Sequence, residues 1–127
     1  MELVLENVTK KYKDKTAVCN ISTELASGQL IGLIGKNGAG KTTLMKMLAT
    51  IIKPTSGQIF FDGENTVRNP NRVRNTIGYL PQEVSVYPNL TAYEYLNYVA
   101  ALKRMKKSEA IHQIGQFLLA FHLEDVK

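Results

Sequence analysis

Residues 28–52 read GQLIGLIGKNGAGKTTLMKMLATII. The stretch joins three kinds of sequence. Leu30-Ile31-Gly32-Leu33-Ile34 is a continuous apolar run, of the kind that suits a strand covered on both faces in an α/β sheet. Gly35 to Thr43 is rich in glycine and ends on a lysine and two hydroxyls. From about Lys41 to Ile52 the pattern is helical, stopped by Lys53-Pro54.

The middle segment fits G-x-x-x-x-G-K-[ST], with Gly35, Gly40, Lys41 and Thr42 at the fixed positions. A chance match somewhere in a chain of this length is on the order of one in a few hundred. Each residue type has a chemical reason. Gly35, Gly38 and Gly40 open backbone angles closed to residues with a β-carbon. The N–H groups of Gly35, Asn37, Gly38, Ala39 and Gly40 are then free to converge on phosphate oxygens. A helix starting near Lys41 adds the positive end of its dipole. Lys41 supplies a mobile point charge for the terminal phosphates. The Thr42 hydroxyl is a hard oxygen suited to Mg²⁺, and Thr43 adds a hydroxyl for an inner phosphate. The plain alternative is a glycine-rich strand–helix turn. The strand before and the helix after the motif favour phosphate binding.

Outward from this loop the chain is ordered. Residues 2–10 alternate and predict a strand, Lys13-Asp14-Lys15 a turn, and residues 17–25 a second strand. Gln58-Ile59-Phe60-Phe61 is a short strand with Asp62-Gly63 as its hairpin turn, so Asp62 is read as a turn residue rather than a magnesium ligand. Pro70 to Asn75 suggests one helical turn, and Thr76 to Leu80 a further strand stopped by Pro81. Thr91-Ala92-Tyr93-Glu94 has the form of a capping box, with Leu90 and Tyr95 spaced as a hydrophobic staple. Ala92, Tyr95, Leu96, Val99 and Leu102 follow at helical spacing. Ser108 is the expected cap of a second helix, with Ile111, Ile114, Leu118 and Phe121 on one face.

The totals set limits. The chain has 127 residues, 44% hydrophobic and 21% charged, enough for one domain with a core. It carries a net charge of +5. The basic clusters Lys10-Lys11-Tyr12-Lys13-Asp14-Lys15 and Lys103-Arg104-Met105-Lys106-Lys107 lack the interleaved aromatics of a base-stacking platform, so no nucleic-acid partner is expected. No run reaches the ~18 apolar residues of a membrane span, and MELVLENVTK opens with acidic residues where a secretory signal has positive charge. The single cysteine, Cys19, has no partner for an internal disulfide and is expected in the core. A cytoplasmic setting is the default. His112 and His122 lack clustered ligands and are expected on a helix surface, and nothing marks Glu83 as a general base.

The ordered set LVLENVTKKYKDKTAVCNIS, GKNGAGKTT, KPTSGQIFFDG and IGYLPQ resembles the ATP-binding cassette family, the motor subunits of membrane transporters. N-K-x-D, a guanine-reading motif, is absent. The resemblance implies an α/β P-loop core with an N-terminal antiparallel β section and the start of a helical subdomain. Residues 1–88 would be the β-rich P-loop core and 89–127 the opening of the helical subdomain, together the N-terminal part of one nucleotide-binding domain. It also implies Mg-ATP as ligand. On its motif positions, Tyr12 would stack on adenine, Gly35 to Thr43 would hold the phosphates, Thr42 and Gln82 would meet Mg²⁺, and Lys41 and Gln82 would serve catalysis. Partners would be a transmembrane permease subunit and a second ATP-binding subunit, with the protein peripheral to the inner face of the cell membrane. YPNLTAYEYLNYVAAL looks most like the drug- or antibiotic-exporting branch.

Hydrolysis in that family also uses an L-S-G-G-Q signature, an apolar strand ending in Asp-Glu and a switch histidine, none of which these residues contain. The expectation is an ATP-binding fragment that does not turn over alone and that self-associates or is marginally stable. The competing readings are a complete non-catalytic nucleotide-binding or interaction module and a small P-loop kinase.

Overall fold

A computed structural model describes residues 1–82 and 89–123, which form two compact units, Met1–Tyr79 and Leu80–Lys127. Glu83, which nothing in the sequence marks as a general base, and Tyr87 and Pro88, which open the stretch resembling the exporting branch, lie outside the described residues.

The first unit is built on a four-stranded antiparallel sheet in the order β2-β1-β3-β4. Its strands are β1 (Glu2–Tyr12), β2 (Lys15–Ala26), β3 (Ser56–Phe61) and β4 (Glu64–Asn65). The β1–β2 ladder does not keep strict alternation. Between Leu5 and Val8 the register shifts on β1, and between Val8 and Lys10 it shifts on β2. Asn7 and Asn20 sit at these irregularities with φ of 50° and 49°. The Asn7 N–H donates to Ser22 Oγ at 2.9 Å and the Asn20 N–H to Thr9 Oγ1 at 2.9 Å, so the displaced amides are satisfied. The shifts bring Leu5, Val8 and Val18 into the core. They also turn Cys19 outward, against the expectation of a core cysteine: simple alternation pairs Cys19 with Ile21, and the extra residue on β2 gives that place to Val18. Gly57 faces the β1 irregularity at φ 80°, where a β-carbon would come within 2.3 Å of the Asn7 carbonyl oxygen.

Helix α1 (Lys41–Leu48) lays Leu44 and Met47 on the inner face of the sheet against Leu5, Val8, Val18 and Ile59. Burying each such side chain contributes about 1.5–3 kcal/mol. The helix ends four residues before the Ile52 expected from its pattern. Thr50 is left-handed at φ 57°. Its N–H donates to the Met47 carbonyl at 3.0 Å, and the Ile51 N–H to the Lys46 carbonyl at 2.9 Å, which is a Schellman closure. Arg74, on helix α2 (Pro70–Thr76), donates to the Thr50 hydroxyl at 2.9 Å and to its carbonyl at 3.0 Å. Asp62 and Gly63 have φ of 48° and 77° between β3 and β4, the two-residue hairpin turn read from the sequence. Asp62 Oδ1 accepts from the Glu2 N–H at 2.7 Å, and Arg72 pairs with Glu64.

Two expected strands are not formed. Leu30–Ile34 has no place in a sheet among the described residues, and Leu30 and Ile34 are 103% and 95% exposed. A strand exists only where another strand completes its hydrogen bonds, and none of the described residues lies alongside. Ile77–Leu80 is likewise outside the sheet.

The second unit contains helices α3 (Ala92–Leu102) and α4 (Lys107–Ala120), packed through Ala100, Ala110, Ile114 and Leu118. The capping box is present: Thr91 Oγ1 accepts from the Glu94 N–H at 3.2 Å, and Glu94 Oε2 from the Thr91 N–H at 2.8 Å. The bonds hold the Glu94 carboxyl below its ordinary range, the backbone N–H of Thr91 first and its hydroxyl second. Ser108 is not the cap of α4; Lys106 occupies that position without a side-chain bond. Met105, half-buried against the α3–α4 core, sets the phase, so Ala110 rather than Ile111 faces inward. Ile111 and Phe121 are exposed, as are His112 and His122.

Candidate functional site: a phosphate loop beside a tyrosine

The loop Gly35–Gly40 leads into α1. Its turn at Asn37–Gly38 is closed by the Ala39 N–H donating to the Lys36 carbonyl at 3.1 Å. Gly38 and Gly40 have φ of 80° and 90°. Gly40 is the cap residue of α1 and the tightest point of the unit. A β-carbon there would stand 2.0 Å from the Ala17 carbonyl oxygen and 3.2 Å from Val18 Cγ2. Only glycine combines that dihedral with that approach, so the loop is seated directly on β2.

The start of α1 carries no side-chain cap bond and no acidic residue in its first turn. Its amides and its dipole are therefore open to an anion. Lys41 is half-buried and folds back over the loop, donating through Nζ to the carbonyls of Gly35 and Lys36, the latter at 2.9 Å. Its charge thus sits over the concave side of the glycine turn. Thr42 is exposed and Thr43 half-buried, both on the first turn of α1. A loop of backbone donors, one cation and one hard hydroxyl is a donor set that fits a polyphosphate with Mg²⁺, the metal keeping water and phosphate as its other ligands. Among the described residues no group of acidic, histidine or cysteine side chains would hold a metal by itself.

Tyr12 stands at the end of β1, 46% exposed, and pairs with Lys15 across the hairpin. The neighbouring pair is Lys11 with Thr16, next to the Ala17 on which Gly40 rests. The fold thus brings the tyrosine and the phosphate loop to the same end of the first unit. Gln82 is exposed and belongs to the second unit.

Sequence reading missed the residue next to the tyrosine. Lys10 Nζ lies 5.2 Å from the Tyr12 ring centroid and donates to the Lys53 carbonyl at 2.7 Å. The signal was in the sequence, because residues two apart on a strand project to one side.

Known proteins resemble this chain. The lipopolysaccharide export system ATP-binding protein of Haemophilus influenzae is 36% identical over 130 residues, spanning 97% of this chain and 54% of that protein. The Fe(3+) ions import ATP-binding protein of Photobacterium profundum is 34% identical over 116 residues, spanning 91% of this chain and 33% of that protein. A solved structure described as the ATP binding subunit of an ABC transporter superposes with a TM-score of 0.80 at 25% identity, covering 99% of this chain and 52% of that one. The chain therefore spans between about a third and just over half of these proteins. The family model described as ABC transporter matches residues 18–126. With the antiparallel section, the phosphate loop and its helix in place, the chain belongs to the ABC transporter family, as an α/β ATP-binding subunit sequence.

Proposed function

We propose that this chain is the N-terminal part of a single nucleotide-binding domain that binds Mg-ATP, in a protein that couples ATP hydrolysis to transport across a membrane. The observation that carries the reading is the Lys41 ammonium, poised over a glycine turn at an uncapped helix start. On binding, Lys41 would exchange its two carbonyl partners, and the Ala39 N–H its Lys36 carbonyl, for phosphate oxygens, with the other amides of Gly35 to Gly40 and the first turn of α1 available to them. Thr42 offers its hydroxyl to Mg²⁺ and Thr43 to an inner phosphate. Mg²⁺, when bound, neutralises charge on the phosphates and orients them. Tyr12 presents its ring to adenine. Gln82 keeps the role that its motif position implies, toward Mg²⁺ or its water.

In the whole protein we place residues 1–88 in the catalytic core and 89–127 at the opening of a helical subdomain. A permease subunit and a second ATP-binding subunit are its partners, at the inner face of the cell membrane. No helix among the described residues is long and apolar enough to cross a membrane, which accords with a peripheral subunit. Export is favoured by YPNLTAYEYLNYVAAL, while the relatives' names include both export and import, so they support transport without a direction. These 127 residues bind Mg-ATP without turnover of their own, because they carry no signature sequence to close over it.

Isothermal titration of Mg-ATP against wild type and Lys41→Ala tests the site. The variant should bind about ten- to a hundredfold more weakly, from about 1.5–3 kcal/mol for a charge-assisted contact. Equal affinities would remove the phosphate assignment.

A further inference from the structure

The end of β1 is tied to the chain leaving α1 by hydrogen bonds from backbone and side chain. The Thr55 N–H donates to the Thr9 carbonyl at 2.8 Å, the Lys11 N–H to Thr55 Oγ1 at 3.0 Å, and Lys10 Nζ to the Lys53 carbonyl at 2.7 Å. The third differs from the others because the same ammonium also lies over the Tyr12 ring, 5.2 Å from its centroid. Lys10 is half-buried, so its stem is confined, and the carbonyl fixes where its head sits. A cation held over one ring face is attracted by the ring's negative quadrupole and restricts the ring's rotation. One face of Tyr12 meets the cation, and the residue's partial exposure leaves ring surface for a stacking partner.

We propose that Lys10 is a positioning residue for the nucleotide base: anchored on Lys53, it holds Tyr12 from one side so that a purine stacks on the other. The inference rests on the reading that this unit binds a nucleoside triphosphate with its base on Tyr12. In this role Lys10 acts through the ring, its ammonium lying on the Lys53 carbonyl and over Tyr12, and a contact with the phosphates is the alternative that the second probe tests. The benefit is preorganisation: a ring already fixed loses less freedom when the base arrives.

The experiment separates the base from the phosphates by using two probes, Mg-ATP and Mg-tripolyphosphate, on the 127-residue chain. Lys10→Met keeps the length of the stem and removes the cation. It should weaken Mg-ATP binding by about two- to fivefold, the range of an exposed cation–π contact, and leave Mg-tripolyphosphate binding unchanged. Lys10→Arg should restore Mg-ATP affinity, since a guanidinium also sits well on an aromatic face. In a Tyr12→Ala background, Lys10→Met should have no further effect. Lys10→Gln keeps a donor for the Lys53 carbonyl without the charge; it should match Lys10→Met, and it serves if the methionine variant melts at a lower temperature. Unchanged Mg-ATP affinity in both Lys10→Met and Lys10→Gln would overturn the proposal. So would an equal loss with tripolyphosphate, which would make Lys10 a phosphate ligand, or a loss that persists without the Tyr12 ring. Failure of the underlying reading looks different: wild type would then bind neither probe in a Lys41-dependent way, or Tyr12→Ala alone would bind Mg-ATP as tightly as wild type.

Discussion

Leu30–Ile34 and Gly35–Lys41 adjoin in the chain, and both were legible as parts of one strand–loop–helix unit. The loop is formed and the strand is not. The difference lies in where each finds its hydrogen bonds. The loop closes on itself, through Ala39 to Lys36 and Lys41 to Gly35 and Lys36, and rests on Ala17 of a strand already paired. The run Leu30–Ile34 must borrow every bond from a neighbouring strand, and its apolar side chains are left facing solvent. Local geometry survives in the absence of a partner; a ladder does not.

Amide exchange should show the widest gap. Protons of Leu5 and Ile59, in the paired and buried part of the sheet, should exchange at least about 10³-fold more slowly than those of Ile31 and Leu33. Comparable protection in both segments would mean that something covers the exposed run, and would break the contrast. Next in size is Gly40→Ala. It sets a β-carbon against the Ala17 carbonyl at a left-handed residue, and should destabilise the first unit by about 3 kcal/mol in urea unfolding. A loss below about 1 kcal/mol would show that the loop is not seated on β2 as firmly as the distances state.

The smallest effect sharpens the comparison in the other unit, where another locally closed device, the Thr91–Glu94 box, holds a helix start. Thr91→Ala should cost about 1 kcal/mol of helix stability by circular dichroism. Glu94 gives the pH dependence. Its folded-state value is depressed, so its contribution is present above the ordinary value near 4.5 and is lost as pH falls through the lower folded value. Glu94→Gln should flatten the stability profile in that acid window; a slope unchanged by the substitution would detach the box from the titration.

The same division explains what could be read in advance. Thr91-x-x-Glu94 and Asp62-Gly63 were readable because both partners lie within a few residues. So was the glycine turn of residues 35–40, whose glycines and following lysine act on their own turn. The outward Cys19 was not, because one extra residue at Asn20 reverses the facing of the strand, and a bulge has no fixed sequence sign. The early end of α1 was hidden because it depends on Thr50 held by Arg74, far along the chain. Ser108 misled because it is a good cap by type, while Met105 and Ala110 determined where α4 begins. The seating of Gly40 on Ala17 and the cation above Tyr12 both need the folded hairpin to exist.

The bonds from Lys41 to Gly35 and Lys36 make the loop its own competitor. On the proposed reading, an arriving triphosphate would not meet a bare charge; it would displace an internal ligand. The measured affinity is therefore an exchange quantity, ammonium on phosphate less ammonium on two carbonyls. Under that reading, removing the lysine takes away an antagonist together with an attractor, so the loss in a titration would understate the strength of the proposed contact with ATP.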